Sequence, residues 1–386
     1  MIKKSSFSDR IHDISPFVVV DFITRAQALE DSGRDIINLA VGEPDFPTPY
    51  PIVDAGMEAL RGSNIKYTPS LGTPELRSAI AKWYREKYKI AVDPNRIAVT
   101  SGSSAALVLV MGILLRPDST VLMADPGYPP NRNIVRAMEG RALNIPVGPD
   151  TGYQLTADLI KKHWSSNTVA AIVASPSNPT GTVVAGDELR QMSDVVKEKG
   201  GAFIVDEIYQ GITFKSGFET VLKFTDDIYV INSFSKYFGM TGWRLGWVVA
   251  PQVAIPLLEK LAQNLYISNS DIAQKAAMGA FSDETFEIAE SHRKKYKQQR
   301  DFLLKRLRSM GFSIPVDPDG AFYIYANCSK FTNNSYDFCV DILENTGVAI
   351  APGADFGDYQ ANIHVRFSYP KPIEILDKGT ARLAEY

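Results

Sequence analysis

The chain has 386 residues, a net charge of −3, 45% hydrophobic residues and 22% charged residues. That length suits one large domain with a smaller one, and the composition is that of a globular enzyme. The near-balanced charge gives no reason to expect nucleic acid or an anionic membrane as partner, and no apolar run approaches the roughly 18 residues of a membrane helix.

The N-terminus, Met1 to Arg10, is polar and lacks the apolar core of a signal peptide. Only two cysteines occur, Cys328 and Cys339. Two thiols in a chain this long argue against a disulfide scaffold and predict a reducing cytoplasm. With four histidines beside them, no cluster has zinc-ligand spacing.

Thr73-Pro74 reads as a helix start, an N-cap residue followed by proline at the first helical position. Leu76, Ile80, Trp83, Tyr84 and Tyr88 then recur at helical spacing, which marks them as core. Strands are predicted at Ile97–Thr100, Thr120–Ala124, Val169–Ala174, Ala202–Val205, Ile228–Ile231 and Leu245–Val249, with helices at Gly102–Leu115 and Asp187–Lys199 between them. Near-continuous apolar strands alternating with helices predict an α/β fold. Its mainly parallel sheet would be covered by helices on both faces. A long charged helix, Asp283 to Met310, leads to a second, smaller domain. That domain reads as strand Ala321–Ala326, helix Ser335–Asn345, strand Ile363–Phe367 and a last helix from about Pro372.

Such sheets bind ligands beyond the carboxyl ends of their strands. The polar motifs lie there: Ser101–Ser104, Asp125–Tyr128, Ser177–Gly181, Asp206–Tyr209 and Ser233–Lys236. In the last, Lys236 stands between two hydroxyls, with Arg244 eight residues on. A buried lysine amine is nucleophilic and forms an imine with an aldehyde. Ser233, Ser235 and Arg244 supply donors and charge for a phosphate. An aldehyde together with a phosphate describes pyridoxal 5′-phosphate (PLP); the bland alternative is a solvated Lys and Arg flanking a turn. Asp206 ends a buried strand, where a carboxylate is costly unless paired, and the pyridine nitrogen of PLP offers that partner. The alternative is a structural Asp capping the next turn. Ser103 and Ser104 open a helix whose free N–H groups suit a phosphate, although alone they read equally as plain caps. Arg366 alternates with Val365 along its strand, so the two face opposite ways, and arginine is suited to bidentate carboxylate recognition.

The order Asn38–Pro47, Tyr67–Gly72, Thr100–Ser104, Asp125–Tyr128, Ser177–Gly181, Asp206–Tyr209, the lysine loop and His364–Ser368 resembles the class I/II aminotransferases, fold type I PLP enzymes related to aspartate aminotransferase. The resemblance runs from about residue 12 to the C-terminus. It implies a large domain over 45–282 and a small α+β domain formed by 1–44 with 283–386. It also implies a homodimer with active sites at the interface, and L-amino acid and 2-oxo acid substrates. It makes Lys236 the cofactor-linked lysine and general base, Asp206 the partner of the pyridine nitrogen, and Tyr209 and Asn178 donors to the phenolic oxygen. Tyr128 is implied as the ring stacked on the pyridine, and Ser103, Ser104, Ser233, Ser235 and Arg244 as the phosphate cup. Arg366 and Gly42 are implied at the substrate α-carboxylate, with Asn178 beside them. Tyr67 matches a tyrosine that reaches the phosphate of the neighbouring subunit; from sequence alone it reads as well as a hydrophobic ring in a turn.

Substrate choice rests on absences. The aspartate-specific branch carries an arginine before a Tyr-Ser-Asn stretch, and here Leu261–Asn269 has none. A second branch uses a lysine early in the helix that here reads Ala105–Gly112, again without a cation. Ile14–Val20, which matches the family's pocket-lining segment, is apolar apart from Ser15. A neutral aliphatic or aromatic amino acid is therefore expected, with Arg25, Arg132 and Lys275 left as cations that could still reach the pocket. Transamination is the leading reading. A β-C–S lyase, decarboxylase or acyl-transfer synthase on the same scaffold stays open, as does, more remotely, a non-enzymatic sensor.

Overall fold

The computed structural model describes residues 7–215 and 219–386. Twelve strands follow in chain order: β1 Ile37–Asn38, β2 Ile97–Thr100, β3 Thr120–Asp125, β4 Arg141–Pro146, β5 Thr168–Ala174, β6 Ala202–Asp206, β7 Tyr229–Ser233, β8 Gly246–Val249, β9 Tyr323–Asn327, β10 Val348–Ala349, β11 Ala351–Pro352 and β12 His364–Ser368. Strands β2 to β8 form one sheet in the order β2-β8-β7-β6-β5-β3-β4. All its neighbours are parallel except β8, which runs antiparallel to both β2 and β7. The sheet is thus the expected α/β one, mainly parallel with one reversed strand. Every residue of β2, β7 and β8 is buried, which is why these strands read as unbroken apolar runs.

The reversal of β8 has a direct consequence for the site. Strands β5, β6 and β7 end at Ala174, Asp206 and Ser233, all at one edge of the sheet. Because β8 is antiparallel, it begins at that edge: Gly246 pairs with both Thr100 and Ser233. The loop joining β7 to β8 therefore carries Lys236 out and Arg244 back over the same edge.

The helix Pro74–Tyr88 starts where its cap predicts, with Thr73 Oγ1 accepting from the Leu76 amide at 3.4 Å. Its Leu76, Ile80, Trp83 and Tyr84 are buried in the core. The connector helix spans Asp283–Met310, as its charged periodicity predicts, and Ser282 caps it. Strand β4 was not anticipated. It lies at the sheet edge and is largely exposed, so its sequence, Arg141-Ala142-Leu143-Asn144-Ile145-Pro146, lacks an apolar run.

A three-stranded antiparallel sheet, β11-β12-β9, holds Arg366 opposite Tyr325 and Ala351. Strand β1 pairs in parallel with β10, so the chain just before Val41 is anchored to the C-terminal part. Both cysteines are buried and free. No helix among the described residues is long and apolar enough to cross a membrane.

Candidate active site

A cavity of about 390 Å³ opens at the strand-end edge of the main sheet. Of the residues singled out from sequence, Gly42, Ser103, Ser104, Tyr128, Asn178, Asp206, Tyr209, Ser235, Lys236, Arg244 and Arg366 line it. They come from seven separate stretches of chain. Most of them follow or end a strand of the main sheet at that edge, while Gly42 comes in after β1 and Arg366 from the middle of β12, in the two smaller sheets.

Lys236 lies deep in the cavity. Its Nζ donates to the Gly42 carbonyl at 2.7 Å and sits 5.7 Å from the centres of the Tyr209 and Phe322 rings. Burial lowers its pKa to about 8; Glu43 opposes that shift, and Arg366 and Arg244 add to it. A substantial share of the amine is therefore neutral and nucleophilic near physiological pH.

Asp206 ends β6 and is buried. Burial pushes its carboxyl up to about 7, against the Ile208 amide, which donates to Oδ1 at 3.1 Å, and the charge of Lys236. Among the described residues no cation is hydrogen-bonded to it. A carboxylate so placed calls for a cationic or proton-bearing partner.

Tyr209 and Tyr323 share a hydrogen bond, hydroxyl to hydroxyl, at 2.7 Å. Arg366 is 2% exposed. Its Nη1 donates to Asn178 Oδ1 at 2.9 Å, its Nη2 to the Ala40 carbonyl, and its Nε has no partner within the chain. The guanidinium lies over the rings of Tyr323 and Phe356, at 4.4 and 4.7 Å. A buried guanidinium with a spare donor is suited to a carboxylate from outside the chain.

The corner beneath the helix Ser103–Leu114 gathers Ser103, Ser104, Ser235 and Arg244. Gly102, the helix cap, has φ +84°, and a Cβ there would sit 2.7 Å from Arg244 Nη2. Only glycine takes this backbone and leaves room for the guanidinium. Arg244 itself has φ +54° and donates through Nη1 to the Thr241 carbonyl at 3.0 Å.

Two residues fall outside the cavity. Ser233 is buried behind Ser235, and its hydroxyl is already engaged. It lies 2.9 Å from Ser235 Oγ and 3.1 Å from the Leu245 carbonyl, with one proton to serve the two, and accepts from the Ser235 amide. The Ser233 hydroxyl thus sits directly behind that of Ser235. Tyr67 is 82% exposed and far from lining the site of its own chain.

Sequence reasoning passed over several lining residues. Tyr323 sits in the apolar strand predicted at Ala321–Ala326, where alternation alone does not single it out. Glu43 and Thr241, which share a hydrogen bond at the mouth, looked like loop polar groups. Phe17, Val19 and Ile23 form an apolar wall. The first two lie in the segment expected to line the pocket. Ile23 is one helical turn beyond Val19, on the helix Val18–Asp31, and helical spacing could have found it. Of the three cations left in play, Arg25 pairs with Glu344, and Lys275 is held by Asp271 and the Asn64 carbonyl. Arg132 donates to the Asp355 carbonyl and lines a recess of about 30 Å³ behind Tyr128.

Residues 34–375 match the family aminotransferase class I and II. Over 375 residues the chain is 36% identical to a valine–pyruvate aminotransferase of Mycobacterium tuberculosis, an alignment covering 97% of this chain and 96% of that one. The chain belongs to the class I and II aminotransferases. This aminotransferase is also 34% identical to a (5-formylfuran-3-yl)methyl phosphate transaminase of Methanocaldococcus jannaschii, over 98% of this chain and 99% of that one. Its fold matches that of the aspartate aminotransferase of Thermus thermophilus solved with maleate, with a TM-score of 0.94 and 30% identity over all of both chains.

Members of the family use PLP, and the protein is a PLP-dependent transaminase acting on amino and oxo acids. The cavity fits that cofactor on its own chemistry. It offers an amine for the aldehyde, a buried carboxylate lacking a cation for the pyridine nitrogen, and a corner of hydroxyls and guanidinium for the phosphate. The three relatives carry names with three different substrates, so family membership alone leaves the side chain of the substrate open.

Proposed function

We propose that this aminotransferase moves the amino group of a neutral, aliphatic or aromatic L-amino acid to a 2-oxo acid in two half-reactions of ping-pong type. The single observation that carries the substrate class is the wall of Phe17, Val19 and Ile23 combined with the cation inventory. Only Lys236, Arg244 and Arg366 bring positive charge to the cavity among the described residues. Lys236 is the nucleophile and Arg244 belongs to the phosphate corner. One cation, Arg366, is left for the substrate, and one α-carboxylate satisfies it. A distal carboxylate would be buried against apolar side chains without a partner.

Bound PLP supplies the aldehyde and a ring that takes up the electron pair released at Cα. The chain does the rest. Lys236 would hold the cofactor through its aldehyde and, as a free amine, would serve as the general base for the proton at the substrate Cα. Asp206 would keep the pyridine nitrogen protonated. Tyr209 and Asn178 would donate to the phenolic oxygen, and Tyr128 would pack against the ring. Ser103, Ser104, Ser235 and Arg244 would hold the phosphate, with Ser233 beside Ser235. Gly42 leaves the backbone open beside the α-carboxylate held by Arg366. Tyr67 completes the phosphate site of the neighbouring subunit in a homodimer. That role is consistent with its exposure in one chain.

The test is a half-reaction. Purified protein loaded with PLP and given a panel of amino acids should convert the bound cofactor to its amine form, read by absorption, and release the matching 2-oxo acid. Release of ammonia or carbon dioxide without that conversion would reject transamination.

A further inference from the structure

Tyr323 touches three of the groups assigned above. Its hydroxyl bonds to that of Tyr209 at 2.7 Å, and it reaches the Gly42 carbonyl at 3.4 Å. That carbonyl also accepts from Lys236 Nζ at 2.7 Å. Its ring lies beneath the guanidinium of Arg366, 4.4 Å from the ring centre, and meets the Tyr209 ring edge-on at 5.6 Å. The side chain is 1% exposed, and a Cβ on Gly42 would collide with its hydroxyl at 2.1 Å. Gly42 therefore leaves room for this hydroxyl.

We propose that Tyr323 is a positioning residue that couples the substrate-carboxylate clamp to the cofactor's phenolic oxygen: its ring orients Arg366 and its hydroxyl aims the proton of Tyr209. Tyr209 has no other hydrogen-bond partner for its hydroxyl among the described residues. Tyr323 has one proton: given to Tyr209 at 2.7 Å rather than to the Gly42 carbonyl at 3.4 Å, which already accepts from Lys236, it leaves the Tyr209 proton free for the cofactor, and accepting strengthens Tyr209 as a donor. Without Tyr323 the Tyr209 hydroxyl is free to rotate away. The guanidinium, 4.4 Å above the ring centre, has the ring as its platform, and its Nε is left without a partner in the chain. The two halves of the coupling separate cleanly, because one belongs to the hydroxyl and the other to the ring.

The inference rests on the roles of Tyr209, Lys236 and Arg366 given above. The test uses PLP-loaded Tyr323→Phe and Tyr323→Leu, with the pH midpoint of the bound cofactor's absorption as a readout besides turnover. Tyr323→Phe loses the hydroxyl alone. Its midpoint should rise by roughly half a unit to one unit, the size of one lost hydrogen bond, with KM for the amino acid held within about twofold. Tyr323→Leu should show the same midpoint shift and, in addition, a KM raised about tenfold for every amino acid, as the clamp loses its platform. If Tyr323→Leu fails to fold, Gly42→Ala offers a second route. The new methyl group displaces the hydroxyl and should reproduce the midpoint shift. An unchanged midpoint in Tyr323→Phe with PLP bound overturns the coupling. Failure of the wild-type protein to take up PLP on Lys236 would instead overturn the site assignment beneath it.

Discussion

Arg366 donates to Asn178 through Nη1 at 2.9 Å, and this bond ties the strand β12 to the loop after β5 across the cavity. In the proposed roles, one amide would then serve both the substrate-carboxylate clamp and the cofactor's phenolic oxygen. Asn178→Ala should weaken both. The expected result is a fall in kcat/KM of about a hundredfold, split between KM and kcat, because a buried charged donor loses its partner while the cofactor loses a donor. A change confined to KM, measured by steady-state kinetics on two amino acids, would remove Asn178 from the cofactor's side.

Lys236→Ala should abolish turnover while leaving the protein folded, since the phosphate corner is untouched. Borohydride reduction of the loaded wild-type protein followed by peptide mapping should place the label on Lys236. Burial lowers the amine's pKa to about 8. The neutral amine is the nucleophile, so the rate of PLP uptake by the apoprotein should climb with pH and level off above about pH 8. Label on another lysine sinks the assignment.

Asp206→Asn should retain PLP and lose rate by orders of magnitude, because an amide does not keep the pyridine nitrogen protonated. The apoprotein offers a second readout. Burial raises the Asp206 carboxyl to about 7. Between about pH 4 and 7 the folded chain therefore holds a proton that the unfolded chain has released, so this group takes stability away as pH rises through that window. Apo Asp206→Asn lacks that loss. Its melting temperature relative to wild type should rise from pH 5 to pH 8 by a few degrees. A difference that stays flat across the range would mean that Asp206 is ionised in the folded apoprotein at both ends.

Much of this was legible in the sequence. The parallel strands gave themselves away as apolar runs because both faces of the sheet are covered, and each motif followed one of them. What escaped had a physical reason. Strand β4 is an exposed edge and carries no apolar signal. Tyr323 is buried in an apolar strand and still lines the cavity, so nothing in the strand's pattern marks it. Ser233 and Ser235 stand two residues apart, and spacing does not show which hydroxyl also meets the Leu245 carbonyl. Gly102 lies inside a recognised window, but its close approach to Arg244 depends on a chain reversal over a hundred residues away.

That approach makes Gly102 testable. Gly102→Ala has to hold a methyl group 2.7 Å from Arg244 Nη2, at a φ of +84° that L-residues rarely adopt. Either the guanidinium or the first turn of the helix Ser103–Leu114 must move. Both belong to the phosphate corner, so PLP affinity should fall by about tenfold or more while KM for the amino acid, at saturating PLP, changes little. Titration of apoprotein with PLP, followed by absorption, measures the first. Unaltered affinity would show that the corner tolerates the shift and that Arg244 is not bound to the phosphate.

Substrate preference is the sharpest claim, because it depends on charge counting. Arg366 provides one clamp, which any α-amino acid fills. Arg25 and Lys275 are held by Glu344 and Asp271, and Arg132 is turned to the Asp355 carbonyl behind Tyr128. Phe17, Val19 and Ile23 line the cavity with apolar surface. At least one neutral amino acid should therefore exceed aspartate in kcat/KM, by about tenfold or more, given the cost of burying an unpaired carboxylate. Val19→Lys adds a cation to that wall and should narrow the gap by improving aspartate. Arg366→Leu should impair all amino acids to a similar degree, since it removes the contact they share. If aspartate instead proves the best of the twenty, a cation from outside this chain must line the pocket, and the neighbouring subunit is where to look for it.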